Sequence, residues 1–195
     1  MQKKVIVLLA EGFEEVEAIT PIDYLRRAGV SVTTAAIGNN LTVKGAHGIE
    51  VNADTHIRNL LEEGPSVWDG IVVPGGKPGS DNIAAFFAAS NEASDFIKKI
   101  GAEGKLISAI CAAPARVLAP LGLLAGKKFT CYPGAEENVL SAGCNAEWKQ
   151  DRVVVDGSLI TSRGAGTAGE FACAIIDKLV GDGEGKKVSD KVLMF

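Results

Sequence analysis

The stretch Leu106-Ile107-Ser108-Ala109-Ile110-Cys111-Ala112-Ala113-Pro114-Ala115-Arg116-Val117-Leu118 decides the fold. Leu106–Ile110 is apolar apart from Ser108, which fits a strand covered on both faces. Proline is favoured in the first turn of a helix, where its missing N–H costs nothing, so Pro114 marks a helix start. A buried strand running directly into a helix is half of a βαβ unit. The same alternation recurs along the chain. Val5–Leu9, Val30–Ile37, Gly70–Val73, Val153–Val155 and Leu159–Thr161 are further short, β-branched apolar runs. Helical patterns lie between them. Glu14–Ala28 carries Ala18, Ile19, Ile22 and Leu25 on one face, and Thr55–Glu62 opens behind Asp54 as its cap. Asn91–Ala102 carries Ala93, Phe96, Ile97 and Ile100, and Gly166–Val180 carries Phe171, Ile175, Ile176 and Leu179. The alternation predicts an α/β fold, a mostly parallel sheet with helices on both faces. Thr42–Val51 reads as a β-hairpin added to that core, and Lys186–Val192 as a last helix in a polar tail. No repeat or linker interrupts the chain, so residues 1–195 read as one domain.

Composition narrows the function. The chain has 195 residues, of which 47% are hydrophobic and 23% charged, the balance of an ordinary globule. A net charge of −4 without a basic block disfavours electrostatic binding to nucleic acid or an anionic membrane. Aromatics at 6% argue against a stacking platform for single strands. The apolar run after Met1-Gln2-Lys3-Lys4 mimics a signal peptide, but it is short and Glu11, Glu14, Glu15 and Glu17 follow at once. No stretch is long enough to cross a bilayer, and the last residues, Val192-Leu193-Met194-Phe195, carry no lipidation signal. These readings predict a cytoplasmic protein. Its 4 cysteines are too sparse for a disulfide scaffold and none are spaced as a metal or redox pair.

Cys111 is the first site candidate. It occupies a strand-to-helix turn at the carboxyl edge of the sheet, where open α/β sheets bind ligands. A helix N-terminus there would stabilise a thiolate, and Ala112 and Ala113 leave its backbone N–H groups approachable. The competing reading is a buried, inert thiol. Cys131 would end a strand near the site, and Cys173 would sit in the core; Cys144 carries no signal. Glu14, Glu15 and Glu17 cluster at a helix start on the same sheet edge. Glu14 and Glu15 fit a solvated first turn. Glu17 borders the apolar arc, which would raise its pKa and let it donate a proton. Pro21 weakens the helix just beyond it. Gly75 and Gly76, after the strand ending at Val73, would allow close backbone approach and turn N–H groups into a cleft, or form only a tight turn. Gly164-Ala165-Gly166-Thr167-Ala168-Gly169 matches a dinucleotide fingerprint, yet too little chain follows for the second half of such a fold. It reads as a glycine turn. The 2 histidines, His47 in the hairpin and His56 at a helix start, suggest neither a metal cluster nor a Cys–His pair. Cysteine chemistry would therefore depend on a carboxylate.

Taken together, these residues resemble the ThiJ/PfpI superfamily, and closely its DJ-1 subgroup. The carriers are Ala10–Glu17, Pro21-Ile22-Asp23, Arg26–Gly29, Pro74-Gly75-Gly76, Ala109–Pro114 and Thr161–Gly164, spanning nearly the whole chain. The resemblance implies a flavodoxin-like sandwich, a homodimer and a cofactor-free site without metal. It makes Cys111 the nucleophile and Glu17 the protonated partner of its thiolate, with Gly75, Gly76 and Ala112 supplying N–H groups. Family activities include glyoxalase and deglycase action on methylglyoxal, glyoxal and glycation adducts of proteins or nucleotides. They also include oxidative sensing through cysteine sulfinate and chaperone action. The sequence departs from animal members at two positions: Tyr132 stands where they carry a histidine, and His47 roughly where they carry a pocket arginine. The first departure weakens a Cys–His hydrolase reading and leaves the Cys–Glu pair intact, with Tyr132 as a hydrogen-bond donor.

Overall fold

The computed structural model describes residues 2–194; Met1 and Phe195, quoted above at the two ends of the sequence, lie outside them. Seven strands form one sheet in the order β10-β11-β7-β6-β1-β2-β5. They are β1 (Lys4–Ala10), β2 (Ser31–Ile37), β5 (Thr55–His56), β6 (Gly70–Val73), β7 (Leu106–Ile110), β10 (Val153–Asp156) and β11 (Leu159–Ser162). All neighbours are parallel except β10 and β11, joined by a tight antiparallel turn. The predicted hairpin is present as β3 (Thr42–Lys44) and β4 (Glu50–Asn52). A separate pair, β8 (Lys128–Phe129) and β9 (Glu147–Trp148), was not readable from so few residues.

Strand side chains alternate between faces, and the two faces bury different helices. Ile6, Leu8, Ile71, Val73, Ile107 and Ala109 join a core with α2 (Ile57–Glu63), α3 (Gly79–Ala89) and α4 (Asn91–Ala102). Val5, Val7, Val72, Leu106, Ile110 and Ile160 face α1 (Glu15–Arg27) and α6 (Ala168–Val180) through Ile22, Leu25, Phe171, Ile175 and Ile176. This is the flavodoxin-like three-layer sandwich. A short α5 (Glu136–Ser141) and a last α7 (Glu184–Lys191) complete the helices. No helix among the described residues is long and apolar enough to cross a membrane.

Three expectations need correction. Thr55 and His56 do not begin a helix; they pair with Ala35 and Ala36 of β2 as an edge strand. Asp54 does not cap the helix that follows, because its Oδ2 accepts from the Thr34 N–H and hydroxyl, each at 2.8 Å. Cys173 is only half-buried, on the side of α6 that α7 covers. Helix α3 went unread because its buried positions, Ile83 and Phe87, follow Gly79 and Ser80, which pack as small residues.

Candidate active site

The carboxyl ends of β1, β6, β7 and β11 converge on one edge of the sheet. Each delivers one part of the site through the loop that follows it. After β7, Cys111 turns with φ 64°, a left-handed conformation that non-glycine residues seldom adopt. Its N–H donates to the Ser162 carbonyl at 2.9 Å and its carbonyl accepts from the Tyr132 N–H at 2.7 Å. Both backbone groups are thus fixed, and the side chain lines the cleft at the sheet edge. Strain of about 1–3 kcal/mol of this kind persists only where neighbours enforce it, and such residues cluster at functional sites. Pro114–Leu118 then forms a five-residue π-helical turn rather than a long α-helix.

After β1, Glu14 caps α1, its Oε2 accepting the Glu17 N–H at 2.7 Å. This sets Glu17 one turn into the helix, 1% exposed, facing the sheet edge. Pro21 lies within α1, which continues through it to Arg27. Glu17 Oε2 accepts the Gly75 N–H at 2.9 Å, the carboxyl also accepts the Ala165 N–H, and it is hydrogen-bonded to Cys111. On the other side, the N–H groups of Ala112 and Gly76 point at the Cys111 sulfur.

These placements refine the expected roles. Gly76 and Ala112 turn N–H groups into the cleft. Gly75 does not: its N–H is committed to Glu17. Its glycine identity instead answers to space, since a Cβ there would lie 2.7 Å from both Cys111 Cβ and Glu17 Oε2 and 3.1 Å from the sulfur. The glycine turn at 164–169 joins β11 to α6 as expected, and it also brings the Ala165 N–H to Glu17. That contribution was invisible in sequence, because a backbone donor leaves no residue-type signal. Tyr132 lines the cleft and is 55% exposed. Cys131, its neighbour, is buried against Glu136, with its sulfur 3.9 Å from Oε2. All four cysteines are free thiols.

Electrostatics separate the pair from ordinary side chains. Burial pushes the Glu17 carboxyl from 4.5 up to about 7, and the Glu14 charge adds to the rise. Burial likewise pushes the Cys111 thiol up to about 12, with the Glu17 charge and hydrogen bond adding to it. A helix end alone predicts a lowered thiol; here desolvation outweighs it, and the turn after Cys111 is too short to carry a large dipole. Two hydrogen-bonded groups titrate as a unit. The unit loses its first proton near 7, from the carboxyl, and the thiol keeps the second. Two N–H groups favour charge on the carboxylate and two favour charge on the sulfur.

The cleft above the pair has a volume of about 270 Å³, with Gly76, Lys77, Ser80, Ala112, Arg116 and Tyr132 around Cys111. Arg116 lies 3.7 Å from Asp81 across its rim. His47 is not in this lining; its Nδ1 bonds Glu15 Oε2 at 2.8 Å beside the start of α1.

Comparison with known proteins agrees with this architecture. The DJ-1/PfpI family model matches residues 3–178. Protein DJ-1 homolog B of Arabidopsis thaliana is 38% identical over 192 residues, 98% of this chain, and the chain spans only 42% of that relative's length. A protein of Pyrococcus abyssi named as a deglycase is 33% identical over 160 residues, covering 82% of this chain and 89% of its own. The crystal structure of Drosophila melanogaster DJ-1beta superposes with a TM-score of 0.88 at 37% identity, covering 99% of this chain and 98% of that one.

Proposed function

The chain belongs to the DJ-1/PfpI family, and from that premise we propose that it is a cofactor-free, cysteine-dependent enzyme acting on reactive carbonyls. The substrates are methylglyoxal, glyoxal or early glycation adducts. The observation that carries this reading is the Cys111 thiol hydrogen-bonded to a carboxyl raised to about 7, at the floor of an open cleft. A general acid–base group works best when its pKa lies near the working pH. The relative named as a deglycase supports the same class of chemistry.

With methylglyoxal the steps follow from the groups present. The Cys111 sulfur adds to the aldehyde carbon as its proton passes to Glu17, and the new C–S bond leaves an alkoxide. The Ala112 and Gly76 N–H groups lie beside the sulfur, where donors can offset that developing charge. Glu17 returns the proton and completes the hemithioacetal. Its carboxylate then takes the proton from the former aldehyde carbon and delivers it to the neighbouring carbon, while the hydroxyl proton passes to the neighbouring oxygen, giving a lactoyl thioester. Water cleaves the thioester, releasing lactate and restoring the thiol. The sum is methylglyoxal plus water to lactic acid, with no external oxidant or reductant. Tyr132 stands at the rim as a hydroxyl donor. The test is lactate release from methylglyoxal by the purified protein. Wild type should release lactate, and a Cys111→Ala control should not; equal rates exclude the reading.

A second reading is favoured by the same N–H pair. Peroxide converts the Cys111 thiolate to sulfinate in two steps, each transferring one oxygen and releasing water. The Ala112 and Gly76 N–H groups and a protonated Glu17 would hold the new oxygens. Intact mass after mild peroxide should show a two-oxygen gain on Cys111, reduced in Glu17→Ala. The proposed partner is a second copy of the chain, seated on exposed Val16 and Ile19 of α1 and Ile49 of the hairpin. Sedimentation velocity should give a dimer that Ile49→Lys disperses.

A further inference from the structure

We propose that Glu14, Glu15 and His47 form a binding site for one borderline divalent cation of the Zn²⁺ type at the rim of the Cys111 cleft. His47 Nδ1 lies 2.8 Å from Glu15 Oε2 and 3.9 Å from Glu14 Oε1. All three groups can place one ligand atom each within 4.8 Å of the others. A tetrahedral ion with bonds of about 2.0–2.2 Å to nitrogen and oxygen holds its ligands about 3.3 Å apart. The two His47 distances bracket that spacing, so side-chain adjustment brings the ligand atoms to it.

The cluster differs from a run of surface acids in three respects. First, it is assembled from two elements: the carboxylates come from the start of α1, and the imidazole comes from the β3–β4 hairpin, 32 residues on from Glu15. The hairpin is tied to the same loop, because the Ala46 N–H donates to the Phe13 carbonyl and the Gly12 N–H to the Lys44 carbonyl, both at 2.8 Å. Second, each carboxylate has one oxygen already held and the other turned toward the imidazole. Glu15 Oε1 accepts the His47 N–H at 2.7 Å and the Ile49 N–H at 3.4 Å. Glu14 Oε2 accepts the Glu17 N–H at 2.7 Å. Outer hydrogen bonds of this kind orient metal ligands and fix their lone pairs. Third, among the described residues of the single chain no Lys or Arg forms an ion pair with Glu14 or Glu15, and the cationic group that pairs with them is His47.

Ligand type selects the ion. An imidazole nitrogen with two carboxylates suits Zn²⁺ and its first-row neighbours, whereas Mg²⁺ prefers an all-oxygen shell. The His47 side chain is 71% exposed in the single chain. In the dimer proposed above the site borders the seam through Val16 and Ile49, and the Cys111 cleft, which Glu14 lines, gives the ion its path in and puts it beside the substrate entrance.

The test uses Cys111→Ser protein, so that the reactive thiol does not compete for metal. Calorimetric titration with Zn²⁺ should show one saturable site. His47→Ala and Glu15→Gln should each weaken it by on the order of tenfold or more. Circular dichroism checks that the variants fold. Glu14→Gln, which keeps an oxygen to cap α1, provides a milder third comparison and should also weaken binding. Co²⁺ in place of Zn²⁺ should give ligand-field bands without thiolate charge transfer. The proposal is overturned if Cys111→Ser protein shows no saturable Zn²⁺ binding, if binding survives unchanged in folded His47→Ala, or if Mg²⁺ binds equally well. None of these readouts depends on turnover of methylglyoxal, so this proposal and the carbonyl reading stand or fall separately.

Discussion

Replacing Glu17 by glutamine should stabilise the protein, increasingly so as pH rises. The Glu17 carboxyl is 1% exposed and ionises near 7 rather than 4.5. A folded-state pKa above the unfolded one means the native state holds the proton more tightly. Stability from this group is therefore complete below 4.5 and is lost as pH rises through 7. At about 1.36 kcal/mol per unit, full ionisation costs about 3 kcal/mol, of which about 2.5 kcal/mol falls between pH 5 and pH 8. Glutamine has the same shape, still accepts the Gly75 N–H and carries no proton to lose. Urea unfolding of wild type and Glu17→Gln at both pH values isolates the contribution, because other titrating groups are common to both proteins. The stability difference, variant minus wild type, should rise by about 2.5 kcal/mol from pH 5 to pH 8. Parallel pH curves would mean that Glu17 is not protonated in the folded protein near neutrality. The acid–base role assigned to it would then fail.

Three further outcomes follow from named contacts. Gly75→Ala forces a Cβ within 2.7 Å of both Cys111 Cβ and Glu17 Oε2; it should cost about 1–3 kcal/mol as overpacking and abolish lactate release while other surface properties persist. Asp54→Ala leaves the buried Thr34 N–H and hydroxyl without their acceptor, and denaturant titration should show a loss of about 1–3 kcal/mol. Tyr132→His places at the cleft a proton carrier that titrates near neutrality, so kcat for methylglyoxal should rise, with a new ionisation in its pH profile.

Much of the framework was readable from residue patterns. The buried runs Val5–Leu9 and Leu106–Ile110 have no other reasonable fate than central strands, and Cys111 at the end of one of them was legible as an elbow. Glu17 was legible because its helical position borders the apolar arc that meets the core. Less visible features depended on long-range contacts. Asp54 has the composition of a cap, but the approach of β2 supplies Thr34 and takes its carboxylate. Gly75 has the look of an N–H donor to substrate, but Glu17 reaches it first. The Ala165 N–H contact depends on how the β11–α6 turn folds over α1. The thiol's rise to about 12 depends on burial that a strand-to-helix pattern does not report. The Glu14–Glu15–His47 cluster forms only when the hairpin folds onto the start of α1.

The central claim is that Cys111 and Glu17 titrate as one coupled pair, the carboxyl losing its proton near 7 and its charge holding the thiol proton until it is passed to Glu17 on attack. Alkylation of Cys111 by iodoacetamide across pH, followed by mass spectrometry of its own peptide, measures this directly. In wild type the midpoint should lie well above that of a free cysteine, because burial and the Glu17 charge hold the thiol up, and Glu17→Gln, which removes that charge, should lower it. A wild-type midpoint at or below that of a free cysteine, about 8.5, or a profile unchanged by Glu17→Gln, would contradict the account.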